Sequence, residues 1–129
     1  MKHQFSLAHL TVLECPPPEM TYIAARAGYD FVSLRLIPLG LPGEKAFLPA
    51  DKEMVRKTRT ALDETGIKLL DLELARILAD EDPHKFVPAM EVAAELGGRH
   101  LIASAWTQDS GDHPLYAILP GATRGDQLP

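Results

Sequence analysis

Residues 69–77 read L-L-D-L-E-L-A-R-I, with Asp71 and Glu73 alternating with Leu70, Leu72 and Leu74. Successive side chains of a strand point to opposite faces, so this pattern gives one apolar face and one acidic face. An open sheet covered by helices on both sides would bury the two acids at a large desolvation cost. Two settings avoid that cost. One is a strand with one face in water; the other is a barrel strand whose polar face looks toward an active site at the barrel mouth.

The surroundings of this stretch repeat. Residues 24–36 (AARAGYDFVSLRL), 62–74 (LDETGIKLLDLEL) and 94–106 (AELGGRHLIASAW) each run from a helical pattern through a glycine into an apolar strand. Gly28, Gly66 and Gly98 fit helix C-caps, where a left-handed backbone excludes most side chains. Such repeats imply βαβ units and a parallel sheet. Residues 5–13 supply an initial strand. Pro17 and Pro18 open a first helix with Met20, Ile23, Ala24 and Ala27 on one stripe. Asp51 caps a second helix with Met54, Val55, Thr58 and Leu62 inward. Asp82 and Pro83 start a third, with Phe86, Val87, Met90, Ala93 and Ala94 as its apolar stripe. The expected order is β-α-β-α-β-α-β, ending near Trp106.

Counting from each glycine aligns the strands. Positions four, six and eight hold Val32, Leu34, Leu36; Leu70, Leu72, Leu74; and Ile102, Ser104, Trp106. These are expected under the helices. Positions five and seven hold Ser33 and Arg35, Asp71 and Glu73, Ala103 and Ala105, and are expected on the opposite face. Glu73 then lies late in its strand, near the mouth, and Asp71 one layer deeper.

The 129 residues suit one domain, and 46% apolar with 24% charged side chains is the balance of a soluble globular chain. A net charge of -5 with scattered basic residues argues against a nucleic-acid partner. The run Arg56, Lys57 and Arg59 falls on the solvated side of the second helix. The lone Cys15 excludes an internal disulfide and fits a reduced, cytoplasmic setting; it reads as a packing residue. No segment reaches the roughly 20 apolar residues needed to span a bilayer, so no membrane partner is expected.

The three repeated phrases together resemble the N-terminal half of the sugar phosphate isomerase/epimerase family, the xylose-isomerase-like TIM barrels. The resemblance covers residues 5–107, so the expected fold class is α/β, a partial TIM barrel of about four parallel strands and three helices. Residues 108–129, rich in Pro and Gly, form an irregular tail that does not resemble the family. The resemblance implies a metal-dependent isomerase, epimerase or related lyase acting on a small polyhydroxy or keto substrate in carbohydrate metabolism. It also implies a divalent metal (Mn, Mg, Zn or Co) held by later strands. A whole barrel takes about 250 residues. The chain therefore reads either as a truncated or frame-shifted product, or as a half-barrel whose open sheet edges a homodimer would cover. Where the family often has an acid in its second strand, Ser33 stands here, with Arg35 two positions on.

Glu73 is the expected acid/base group, or else a partner of Arg76 or Arg35 in a structural ion pair. Arg35, Arg76, His9 and Trp106 are the expected substrate-binding residues. Arg35 either grips a substrate anion with its planar fork or pairs with Glu73 or Asp71. His9 is a substrate contact or a hydrogen-bonded core residue. Trp106 lines a sugar pocket or simply packs. Residues 38–49, P-L-G-L-P-G-E-K-A-F-L-P, are long for a βα connection. They read as a lid with Lys45 and Phe47 as substrate contacts, or as a rigid surface loop.

Overall fold

The computed structural model describes residues 2–105. Trp106 and the 108–129 tail lie outside the described residues. The elements alternate as expected: β1 (Ser6–Ala8), α1 (Pro17–Ala27), β2 (Phe31–Arg35), α2 (Lys52–Thr65), β3 (Lys68–Ile77), α3 (Val87–Glu95) and β4 (Leu101–Ala105). They form an α/β architecture with one four-stranded sheet, in the order β1-β2-β3-β4, and every pairing is parallel.

Local chemistry sets the helix ends. Pro17 occupies the first turn of α1, where its missing N–H costs nothing. Asp51 caps α2 by accepting from the Met54 N–H at 3.1 Å. Asp82 accepts from the His84 N–H at 2.9 Å. It therefore caps a 3-10 turn, Pro83–Phe86, that precedes α3 rather than α3 itself. That turn changes the phase of the third helix. Phe86, Ala89, Ala93 and Leu96 are buried, while Val87 and Met90 of the expected stripe are exposed. In α1 the buried stripe is Pro17, Met20, Thr21 and Ala24, with Ile23 turned outward. In α2 the expected residues Met54, Val55, Thr58 and Leu62 are all buried.

The core lies between these helices and one face of the sheet. Leu7, Val32, Leu34, Leu36, Leu69 and Leu72 pack there with Met20, Ala24, Val55, Leu62 and Ala93. Two differences from simple counting have physical causes. In β3 the buried residues are Leu69, Leu72 and Ala75, because Leu70 is bulged out: Val32 pairs with Leu69 and Ser33 with Asp71. A second register shift lies between Leu72 and Ala75. The peptide between Glu73 and Leu74 is cis.

In β4 the difference lies in the glycine. The residue with positive φ after α3 is Gly97 (φ 92°), matching Gly28 (87°) and Gly66 (76°), and not Gly98. Counting from Gly97 brings Leu101 and Ala103 onto the face of their partners Leu72 and Ala75, and Leu101 packs on the core while Ile102 is exposed. Gly98 has a different task. A Cβ there would stand 2.9 Å from Leu69 Cδ2 and 3.1 Å from the Ala93 carbonyl oxygen, so its bare backbone lets the chain turn close over β3.

Residues 5–13 are not strand throughout. β1 ends at Ala8, and His9 begins a 3-10 turn, His9–Val12. No helix among the described residues is long and apolar enough to cross a membrane.

Candidate functional site

The register places the polar residues of β2 and β3 side by side. Ser33 pairs with Asp71 and Arg35 with Glu73, on the face opposite Val32, Leu34 and Leu72. This is the juxtaposition the alternating pattern predicted, and it survives the Leu70 bulge because the bulge precedes both pairs. The Ser33 and Ser6 hydroxyls lie 3.0 Å apart and extend the polar row to β1. Arg35 and Glu73 form the upper row, nearer the C-terminal ends of the strands.

Both are largely buried, with side chains 11% and 12% exposed. Arg35 Nη2 stands 3.9 Å from Glu73 Oε2, an ion pair too long for a hydrogen bond. Arg35 Nε and Nη1 and Asp71 Oδ1 are buried with no hydrogen-bond partner among the described residues. Buried donors and acceptors of this kind are costly unless something supplies their bonds. Burial raises the Glu73 carboxyl above the ordinary glutamate value; the Asp71 charge adds to the rise and Arg35 opposes it.

His9 is fully buried. Its Nδ1 lies 2.9 Å from the Arg35 backbone nitrogen, which can only donate, so Nδ1 accepts. Its Nε2 then carries the proton and donates to the Cys15 carbonyl at 2.9 Å. Burial holds the imidazole below its ordinary value; the Cys15 bond opposes this and the Arg35 charge adds to it. Both ring nitrogens are thus engaged by backbone, and the ring tethers the end of β1 to the end of β2. Burial, followed by the Glu19 charge, raises the Cys15 thiol, with Lys45 opposing, which suits packing rather than nucleophilic attack.

Arg76 follows on β3, and its Nη2 donates to the Leu39 carbonyl at 2.7 Å. This bond ties β3 to the β2–α2 loop. Glu44 closes the same loop: its carboxylate accepts from the Leu39 N–H at 2.8 Å and the Gly40 N–H at 3.0 Å. Sequence reading missed Glu44. The signal was Gly40 and Gly43, whose positive φ turns the chain tightly and leaves amides for a nearby acid. Phe47 stacks on His9 with ring centroids 5.5 Å apart and planes inclined by 16°. A cavity of about 210 Å³ opens between this loop and the sheet, lined by His9, Arg35, Ile37, Lys45 and Phe47 among others.

The structure therefore brings Arg35, Asp71 and Glu73 together, joins His9 to the Arg35 backbone, and bonds Arg76 of β3 to the loop; Trp106 lies outside the described residues. No group of three or more His, Cys, Asp or Glu side chains converges among the described residues. Asp71 and Glu73 alone fall short of the three protein ligands of a catalytic zinc site. No protein-family model matches the chain, and no curated protein matches it.

Proposed function

We propose that the chain is a sector of a TIM barrel of the sugar phosphate isomerase/epimerase kind. In this reading it binds a small polyhydroxy or keto compound, and Glu73 moves a proton at the carbon beside the carbonyl. The consecutive strand order supports the barrel reading, because a doubly wound sheet reverses its order at a switch point. Right-handed crossovers in such an order leave the helices on one face and the polar row on the other.

The observation that carries the chemistry is the pair of unpartnered nitrogens on Arg35 beside a desolvated Glu73. The Glu73 carboxylate takes the proton from carbon, and the electron pair of that C–H bond moves onto the carbonyl oxygen. Arg35 N–H groups donate to that oxygen as charge develops. Delivery of that proton to the former carbonyl carbon, as the hydroxyl proton of the first carbon passes to the former carbonyl oxygen, gives the isomer. Protonation of the first carbon from its opposite face by water gives the epimer. A carboxyl with a raised pKa is the stronger base for this step. The divalent metal of the resemblance would need ligands beyond Asp71 and Glu73.

Solvent exchange tests this reading. In deuterium oxide, dihydroxyacetone and glyceraldehyde incubated with the chain should incorporate deuterium beside the carbonyl by proton NMR. Glu73→Gln should slow the exchange by about a hundredfold or more. Exchange no faster than in buffer, or unchanged in the variant, overturns it.

A second reading is a non-catalytic half-barrel that self-associates. It is favoured by large apolar side chains at both outer strands, Phe5 before β1 and Ile102 in β4, which are 60% and 44% exposed. Sedimentation velocity of the wild type and of Ile102→Lys separates the two: a dimer lost in the variant supports it, and a wild-type monomer ends it.

A further inference from the structure

We propose that the cavity beneath residues 38–47 is a subsite for the carboxylate of a small, singly charged hydroxy or keto acid. It takes that group on Arg35, with the carbon body against Phe47. The inference deepens the reading of Glu73 as a proton-transfer group by naming the class of substrate that reaches it.

Four observations lead here. Arg35 lines the cavity and also stands beside Glu73, so one guanidinium joins the pocket to the polar row. Its buried Nε and Nη1 have no hydrogen-bond partner among the described residues, and Arg35 is one of the residues that line the cavity. The floor is fixed rather than soft: His9 is tied to backbone on both nitrogens and Phe47 stacks on it. Much of the remaining wall is apolar, from Leu13, Ile37, Pro38 and Leu41, which suits a short carbon skeleton.

Charge decides between a carboxylate and a phosphate. The cations facing the cavity are Arg35 and Lys45, whose ammonium lies 5.9 Å from the centre of the Phe47 ring. The acids that line the cavity are Glu14 and Glu44, whose carboxylate is held by the Leu39 and Gly40 amides. Glu73 stands 3.9 Å from Arg35 and is not among the residues that line the cavity. Two cations among three acids leave the neighbourhood net negative, which repels the dianion of a phosphate ester more strongly than the single charge of a carboxylate.

Glycerate, glycerol and glycerol 3-phosphate share one carbon skeleton and differ in that group, so they are the probes. With the full chain, NMR titration should give a glycerate Kd at least about tenfold below those of glycerol and glycerol 3-phosphate. Arg35→Gln and, independently, Phe47→Ala should each weaken glycerate by a similar factor, with folding checked by circular dichroism. Phe47 is on the loop, so its variant keeps the test open if Arg35→Gln does not fold. Tighter binding of the phosphate, equal binding of glycerol, or glycerate binding unchanged in Phe47→Ala overturns the subsite. Glu73→Gln should still bind glycerate; a variant that binds it but exchanges no deuterium separates the two claims. Normal exchange into dihydroxyacetone without glycerate binding sinks the subsite alone.

Discussion

Arg35 and Glu73 face each other from register-matched positions of adjacent parallel strands, with Nη2 and Oε2 3.9 Å apart and no hydrogen bond between them. A pair built for stability would close that gap, because a buried charge recovers its desolvation cost only with good geometry. The open pair leaves the guanidinium with donors to spare and the carboxylate short of support.

The first prediction concerns pH and Glu73. Its folded pKa is raised above the ordinary value near 4.5, so the folded state holds this proton to higher pH than the unfolded chain does. The associated stability is complete below the unfolded value and is lost as pH rises through the folded one. Urea unfolding at acid and at neutral pH should show the wild type losing stability relative to Glu73→Gln as pH rises. A wild type that gains on the variant over that interval contradicts the assignment.

His9 carries the opposite dependence. Its folded pKa lies below 6.5, so the stability it confers is intact above that value and lost as pH falls below it, where the unfolded chain takes up the proton first. Nitrogen-15 NMR should show a neutral ring with the proton on Nε2 at pH 7. His9→Ala leaves the Arg35 N–H and the Cys15 carbonyl without their partner and should cost about 3 kcal/mol in urea unfolding.

Gly97 and Gly98 should fail for different reasons. Gly97→Ala forces a side chain into φ 92° and should cost about 1 kcal/mol regardless of its neighbours. Gly98→Ala meets Leu69, so its cost should fall in a Leu69→Ala background, and the double variant should lose less than the two singles together. Additive losses at Gly98 would contradict the close approach.

Much of this was legible in the sequence. The three helix-glycine-strand phrases gave the parallel βαβ order, and alternation in residues 69–77 put Asp71 and Glu73 beside Ser33 and Arg35. What misled was local. A double glycine hides which residue takes the left-handed conformation, and counting from Gly98 sets β4 one position out. Alternation cannot reveal the Leu70 bulge, which moved burial to Leu69 while leaving Leu72 in place. Asp82 and Pro83 correctly marked a helical start, yet the 3-10 turn they open shifted the phase of α3. The loop's role rests on contacts far apart in sequence, Arg76 with Leu39 and Phe47 with His9, which no spacing rule joins.

Carbon-detected NMR titration of the Glu73 carboxyl bears most directly on the polar row, because the carboxyl's environment defines the site. It should titrate above the ordinary glutamate value, shift down in Asp71→Asn and shift further up in Arg35→Gln. A Glu73 that titrates at or below the ordinary value, and ignores both substitutions, would show that these three side chains do not share one desolvated face.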